Sequence, residues 1–211
     1  IADAGSAYLY KLEQNGTSTY IDKVTAPDGA ADDQCGNSVS RSRNVLAVGA
    51  NKADPGGIAD AGAAYLYKLE QNGTITYIDK VVAPDAAADD QFGNSASLSR
   101  NVLAVGANKA DPGGIDGAGA AYLFKLEHNG TITYIDKVVA PDAASEDSFA
   151  LSVSMSGDLL AVGSHFSDPG GIADAGSAYP YRLAHNGTAP YLYKMTAPPR
   201  VTAHRLGPPH T

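Results

Sequence analysis

Residues 64–81 read AYLYKLEQNGTITYIDKV, two runs rich in aromatic and β-branched residues joined by an Asn-Gly pair. Asn-Gly between two such runs is the strongest short-range signal for a hairpin, because both central residues of a two-residue turn need positive φ. The stretch therefore predicts an antiparallel β-hairpin. The same Asn-Gly-Thr triplet occurs four times, at Asn15, Asn72, Asn129 and Asn186.

The hairpin belongs to a repeat with a period of 57 residues. Strings of the type AYLYKLE begin at residues 7, 64, 121 and 178, and LAVGA or LAVGS begins at residues 46, 103 and 160. No insertion or deletion breaks this register. A constant period predicts that every unit occupies the same structural environment.

One unit contains four predicted strands, called a to d in chain order. Strand a is DQFGNSASLS (90–99), and strand b is VLAVGA (102–107), a compact apolar run typical of a strand buried on both faces. A loop rich in Gly and Pro leads to strand c, AAYLFKLE (120–127). The Asn-Gly turn then leads to strand d, TITYIDKVVAP (131–141). Because no segment has helical periodicity, the sequence predicts an all-β fold of tandem four-stranded antiparallel blades.

The order and spacing of three motifs resemble a known repeat. DQFGNS (90–95), LAVGA (103–107) and GAAYLF (119–124) are similar to the FG-GAP repeat, which builds the β-propellers of integrin α chains and of many bacterial surface proteins. The Phe-Gly pair is intact at Phe92 but becomes Cys35-Gly36 and Phe149-Ala150 in the other units.

The resemblance covers residues 1–198 and implies about three and a half propeller blades. They are a half repeat at 1–32 and repeats at 33–89, 90–146 and 147–198, before a Pro-rich tail at 199–211. It also implies an extracellular or cell-surface protein that serves adhesion or ligand recognition.

Composition and motifs argue against several function classes. The net charge of −8 disfavours binding to phosphate backbones, and no apolar run is long enough to insert into a membrane. The five histidines lack metal-ligand spacing, and no GxSxG nucleophile motif occurs. Paired acids at Asp32-Asp33, Asp89-Asp90 and Glu146-Asp147 recur once per unit, whereas catalysis usually needs one asymmetric site. We therefore expect no enzymatic activity.

Calcium is the one candidate cofactor. Acidic residues recur in the loops between strands b and c, and Asp side chains with loop carbonyls can supply the six to eight oxygens that Ca²⁺ takes. These residues are Asp54, Asp60, Asp111, Asp116, Asp168 and Asp174. The alternative is that Asp-Pro-Gly-Gly is turn chemistry, with each Asp capping its own backbone. The calcium loop of the family lies between strands a and b, where this chain has only a short turn, so that site is not transferred.

The Asn-Gly-Thr triplets are also N-glycosylation sequons. Glycans on Asn15, Asn72, Asn129 and Asn186 would line one rim at a regular pitch, and the alternative is that these residues serve only as hairpin turns. Tyrosines at regular strand positions, such as Tyr8, Tyr10 and Tyr20, are interpreted chiefly as blade packing.

The blade count predicts association. Propellers usually close with four to eight blades, so three and a half blades leave apolar faces and strand edges uncovered. The chain is either a fragment of a longer propeller or associates with other copies of itself in a ring or filament. Two functions follow: a non-catalytic module that binds a protein or carbohydrate ligand, or a structural subunit of an extracellular fibre built head to tail.

Overall fold

The computed structural model describes residues 1–197, so the predicted tail at 199–211 lies outside the described residues. Fourteen strands follow one another in this part of the chain. They are β1 Ala7–Leu12, β2 Ser18–Val24, β3 Ser38–Ser42, β4 Val45–Ala50, β5 Ala63–Leu69, β6 Ile75–Val81, β7 Phe92–Ser99, β8 Val102–Ala107, β9 Ala120–Leu126, β10 Ile132–Val138, β11 Ser152–Ser156, β12 Leu159–Ser164, β13 Ser177–Arg182 and β14 Met195–Thr196. Short 3-10 turns lie at Pro55–Gly57, Pro112–Gly114 and Pro169–Gly171.

The strands form three four-stranded antiparallel sheets and one two-stranded sheet. Each four-stranded sheet follows chain order, β3-β4-β5-β6, β7-β8-β9-β10 and β11-β12-β13-β14, and β1 pairs only with β2. Strand a of each unit is therefore β3, β7 or β11, and strand d is β6, β10 or β14. The prediction of an all-β fold of four-stranded antiparallel blades is confirmed, with the sheets not closed into a ring.

The c–d hairpin forms as predicted, but its turn is one residue longer than a two-residue loop. Glu70 N donates to Thr74 O at 2.8 Å, which encloses Gln71, Asn72 and Gly73. Gly73 takes a φ of 87°, as the last residue of a three-residue hairpin loop does. Asn72 Oδ1 accepts hydrogen bonds from the backbone N (3.0 Å) and Oγ1 (2.7 Å) of Thr74, so Asn and Thr stabilise the turn together.

Burial of strand b depends on whether a following unit covers it. Every residue of β4 is buried, and β8 is buried except for its first residue, as expected for a strand covered on both faces. In β12 buried and exposed residues alternate, and Leu159 and Ala161 are exposed. The difference arises because β4 and β8 are each followed by another described unit, whereas β12 is not.

The two halves of the FG-GAP pattern meet between neighbouring units. The backbone N of Phe92, at the start of strand a, donates to Ala61 O of the preceding unit at 2.9 Å, and Phe149 N donates to Ala118 O at the same distance. A Cβ on Gly62 would lie 2.0 Å from Phe92 O. Glycine before strand c therefore permits the close approach of the next blade. Cys35 occupies the Phe92 position in the first unit and is buried.

Candidate ligand-recognition site

One end of the blades carries two sets of loops, which together we call the loop face. The b–c loops are 51–62, 108–119 and 165–176, and the d–a loops are 25–37, 82–91 and 139–151. Backbone hydrogen bonds join them: Asp89 N donates to Ala59 O at 2.9 Å, and Glu146 N donates to Asp116 O at 2.8 Å. Because consecutive strands are antiparallel, the c–d turns lie at the opposite end of the blades.

The Asp of each Asp-Pro-Gly-Gly segment closes its own loop. Oδ1 of Asp54, Asp111 and Asp168 accepts a hydrogen bond from the backbone N six residues later, at 2.8, 2.7 and 2.8 Å. This is the turn chemistry that the sequence offered as an alternative to calcium.

The other acids proposed for calcium do not share one arrangement. Asp60 forms an ion pair with Lys52 at 2.9 Å, and Gly117 replaces the acid found at Asp60 and Asp174. Within residues 1–197, no three Asp, Glu, His or Cys side chains are grouped so that they could hold a metal ion. Calcium binding stays a prediction, and loop contacts account for Asp54, Asp111, Asp168 and Asp60 without it.

The paired acids of the d–a loops are also structural contacts. Asp33, Asp90 and Asp147 are buried, and Oδ2 of each accepts a hydrogen bond from the backbone N three residues earlier, at 2.8, 2.8 and 3.0 Å. Burial raises the pKa of Asp90 and of Asp147, although the backbone donors oppose this rise. These acids close the loops that carry the chain from one blade to the next.

The loop face of the third unit contains a cavity of about 320 Å³. It lies between the d–a loop that enters the unit and the b–c loop of the same unit. Its lining consists of Asp142, Ala144, Ser145, Glu146, Asp147, Phe166, Ser167, Asp168, Asp174 and Lys194. The corresponding cavity of the second unit, beside Asp85, Asp111 and Lys137, has a volume of about 80 Å³. The cavity of the third unit is therefore larger than its counterpart in the second.

The repeat itself changes at this cavity. His165-Phe166-Ser167 stands where the first two units have Asn-Lys-Ala, at 51–53 and 108–110. In those units the lysine forms an ion pair, Lys52 with Asp60 at 2.9 Å and Lys109 with Glu146 at 2.7 Å. Phe166 has no charge and cannot form such an ion pair. Its ring is 44% exposed and lies against the His165 ring, with 3.7 Å between the centroids.

Sequence reasoning did not single out this site. The sequence does contain a signal for it, because among the three b–c loops only this one departs from the repeat in its first three residues. Ser167 Oγ donates to Ser164 O at 3.1 Å and lies 2.8 Å from Ser177 Oγ, so the serine that replaces Ala53 and Ala110 forms hydrogen bonds of its own.

The four sequon asparagines are exposed, at the end of the blades opposite the loop face. Asn15, Asn72 and Asn186 accept hydrogen bonds from both the backbone N and Oγ1 of the threonine two residues later. Asn129 accepts one from Thr131 N at 3.0 Å. The side chains are accessible for modification, and their glycosylation stays a prediction.

Comparison with known proteins identifies the repeat. The family model of the FG-GAP repeat matches residues 19–67, 76–124 and 133–181, each match running from strand d of one unit to strand c of the next. The chain belongs to the FG-GAP repeat family. FG-GAP repeats are typical of extracellular proteins, and no helix of residues 1–197 is long and apolar enough to cross a membrane.

A solved structure shares the fold of this FG-GAP chain. A protein from Lactobacillus plantarum superposes with a TM-score of 0.56 at 15% sequence identity, over 90% of this chain and 49% of that protein. The FG-GAP chain thus spans about half the length of that protein. No curated protein matches the sequence of this chain.

Proposed function

We propose that this FG-GAP chain is a non-catalytic recognition protein of the cell surface or extracellular space, and that it binds its ligand at the cavity of the third unit. The observation that carries the proposal is the coincidence of two features at one place. The b–c loop that departs from the repeat, at 165–167, also lines the cavity of about 320 Å³. Binding residues are disproportionately found on loops that a rigid scaffold positions, so a loop that departs from the repeat beside a cavity is a candidate site.

The chemistry of the cavity suits a ligand rich in hydroxyl groups. Carboxylates accept hydrogen bonds from hydroxyls, and an exposed aromatic ring packs against an apolar face of the ligand. Phe166 supplies the ring, while Asp174 and Glu146, the latter also paired with Lys109, supply carboxylates in the lining of the cavity. A carbohydrate has both features, so we propose a glycan, free or on a partner protein, as the ligand.

A glycan array probed with the whole chain tests this proposal. We expect binding to a defined subset of glycans, and a loss of about tenfold or more in affinity for the variant F166K, which restores the lysine of the other two units. Because lysine is accommodated at positions 52 and 109, the variant is expected to fold. Ile172→Ala is the matched control, since Ile172 is exposed in the same loop but does not line the cavity. An array without bound glycans, or equal binding by F166K, would contradict the proposal.

A structural subunit of an extracellular fibre is the second candidate function. It is supported by the exposed blade faces at both ends of the described residues, Tyr8 and Tyr10 at one end and Leu159 at the other. Exposed apolar faces of this kind are typical of protein–protein interfaces, and head-to-tail contacts between copies would bury them. Electron microscopy with light scattering tests the idea: filaments with a regular axial repeat support it, and a monodisperse monomer at all concentrations opposes it.

A further inference from the structure

A groove lies between the second and third units at the end of the blades opposite the loop face. Its volume is about 490 Å³, and we call it the turn groove. The a–b turn and strand d of the second unit form one side, which carries Arg100 and Tyr134. The a–b turn and the c–d turn of the third unit form the other side, which carries Gly157 and Ala184.

The repeat changes at this groove. Gly157 stands where the first two units have Arg43 and Arg100, and Ala184 stands where the earlier c–d turns have glutamate. The junction of the first and second units therefore carries Arg100 and Glu127 at the places where the turn groove has Gly157 and Ala184. Because two long charged side chains are replaced by a glycine and an alanine, the third unit leaves room beside the second.

The conformation of the turn does not by itself require glycine at position 157. Gly157 has a φ of 63°, and the arginines at the same position of the first two units, Arg43 and Arg100, have φ of 55° and 56°. A Cβ on Gly157 would have only one atom within 4 Å, Nη2 of Arg100 at 3.9 Å. The turn thus accepts an arginine with the same backbone, and the effect of Gly157 is to open space.

Contacts between the two units hold the sides of the groove together. Gly157 N donates to Ser99 Oγ of the second unit at 3.0 Å, and Ala189 N donates to Asp136 Oδ2 at 3.0 Å. A Cβ on Gly187, in the c–d turn of the third unit, would lie 3.1 Å from Cγ2 of Ile135. The turn groove is therefore formed by two units in direct contact.

Arg100 provides a positive charge in the groove. Its side chain is exposed and forms no ion pair within residues 1–197. The lysine and the two carboxylates of the lining have partners nearby: Lys125 lies 2.9 Å from Glu127, and Asp158 lies 3.9 Å from Nε of Arg182. A guanidinium can bind a carboxylate through two parallel hydrogen bonds, so Arg100 is suited to an anionic ligand.

Tyr134 provides an aromatic surface in the same groove. Its ring is 43% exposed and lies edge-on to Phe124, with 5.8 Å between the centroids. An aromatic ring packs against the apolar face of a sugar, and the carboxylates of Glu127 and Asp158 can accept hydrogen bonds from sugar hydroxyls. A ligand that matches the groove thus combines a carboxylate, a ring with an apolar face, and hydroxyl groups.

We propose that the turn groove binds an acidic sugar, a uronic acid residue of a glycan. Its carboxylate pairs with Arg100, and its ring packs against Tyr134. The site is separate from the cavity of the third unit and does not depend on the function proposed for that cavity. An acidic peptide could also reach Arg100, but an acidic sugar supplies hydroxyls and a ring face as well as the charge.

Titration calorimetry of the whole chain with a short oligogalacturonate tests the proposal. We expect saturable binding that Arg100→Ala weakens about tenfold or more, because a hydrogen-bonded charge pair is lost. Gly157→Arg restores the arginine of the other units and should weaken binding to a similar degree by filling the groove. This variant is expected to fold, since arginine occupies the same turn position with nearly the same φ at Arg43 and Arg100.

Matched controls exist for both the protein and the ligand. Arg43→Ala and Tyr77→Ala change the same positions at the junction of the first and second units and should leave binding intact. The same oligosaccharide with its carboxylates methyl-esterified should not bind. F166K alters only the cavity of the loop face and should also leave binding unchanged.

Three results would overturn the proposal. The first is absence of saturable binding, or binding that neither Arg100→Ala nor Gly157→Arg weakens. The second is equal binding of the methyl ester, or loss of binding in F166K, which would place the sugar elsewhere. The third is binding of a polyglutamate peptide as tight as that of the oligogalacturonate, which would assign the groove to an acidic peptide.

Discussion

At the scale of single residues, the packing of blades is decided by a few glycines. Gly119 and Gly130 have nearly the same φ, 86° and 90°, but different surroundings. A Cβ on Gly119 would lie 2.1 Å from Phe149 O of the next blade, whereas a Cβ on Gly130, in the c–d turn, would have no atom within 4 Å. Comparing these two glycines therefore separates the cost of a left-handed backbone from the cost of close approach between blades.

Alanine substitution at the two glycines should therefore have different effects. Gly130→Ala introduces only left-handed strain, and we expect it to lower the free energy of unfolding by about 1 kcal/mol. Gly119→Ala adds a clash with the next blade, and we expect a further loss of about 2 kcal/mol or more. Urea denaturation followed by circular dichroism measures both. Equal losses would mean that the blades do not need the close contact.

The sequence predicted the role of some of these residues but not of others. Turn residues were readable, because an Asp capping its own backbone or an Asn-Gly pair acts within a few positions of the chain. The contact of Asp28 with Lys80 was not readable, because the two are 52 residues apart and meet only when one blade stacks on the next. Phe166 was likewise missed, since its exposure beside a cavity depends on how two loops converge.

At the scale of elements, the contact between a d–a loop and the next blade depends on ionised Asp. Lys80, followed by Tyr65, holds the pKa of Asp28 below its usual range, although desolvation opposes the shift. Because the folded chain depresses this pKa, the stabilisation is complete above the pKa of the unfolded chain, about 4, and is lost as the pH falls through the folded value.

Asp28→Asn should lower the free energy of unfolding by about 1 kcal/mol at pH 7, since the ion pair is partly exposed to solvent but also holds a tyrosine hydroxyl. The difference from the unmodified chain should shrink as the pH falls below about 4. Denaturation of both proteins between pH 7 and pH 3 measures it.

Asp90→Asn is the control for that experiment. Burial raises the pKa of Asp90, so its charge destabilises the folded chain at neutral pH, and an amide oxygen can still accept the hydrogen bond from Ala87 N. We expect no loss of stability at pH 7. A pH-independent loss for Asp28→Asn would contradict the proposed charge dependence of the contact between blades.

Individual strands were more predictable than their burial. Period and residue type predicted the four strands of each unit, because alternation and turn signals are local. In the last unit, however, strand d is reduced to β14, which pairs with β13 at only two positions. The apolar run of strand b predicted burial on both faces, and β4 and β8 fulfil it, whereas β12, with the similar sequence LLAVGS, exposes one face. Burial of this strand is set by the next unit along the chain, which its own residues do not encode.

At the scale of the whole molecule, the main contacts between sheets in residues 1–197 join neighbouring units: β3, β4 and β5 contact β7, and β7 and β8 contact β11. Stability in a row of such units is approximately the sum of unit stabilities and interfaces between neighbours. Within residues 1–197, the hairpin β1–β2 is paired with no a–b strands and packs on no preceding blade, whereas the hairpin β5–β6, with nearly the same sequence, has both neighbours. Opening of β1–β2 alone therefore breaks fewer contacts than opening of β5–β6.

Native-state hydrogen exchange should resolve this difference within one sample. We expect the amides that join β1 to β2 to exchange at least about tenfold faster than their equivalents between β5 and β6, because local opening follows the free energy of the contacts broken. The nearly identical sequences of the two hairpins keep intrinsic exchange rates closely matched, so each hairpin is the control for the other. Equal protection in dilute solution would mean that Tyr8 and Tyr10 are covered from within the chain.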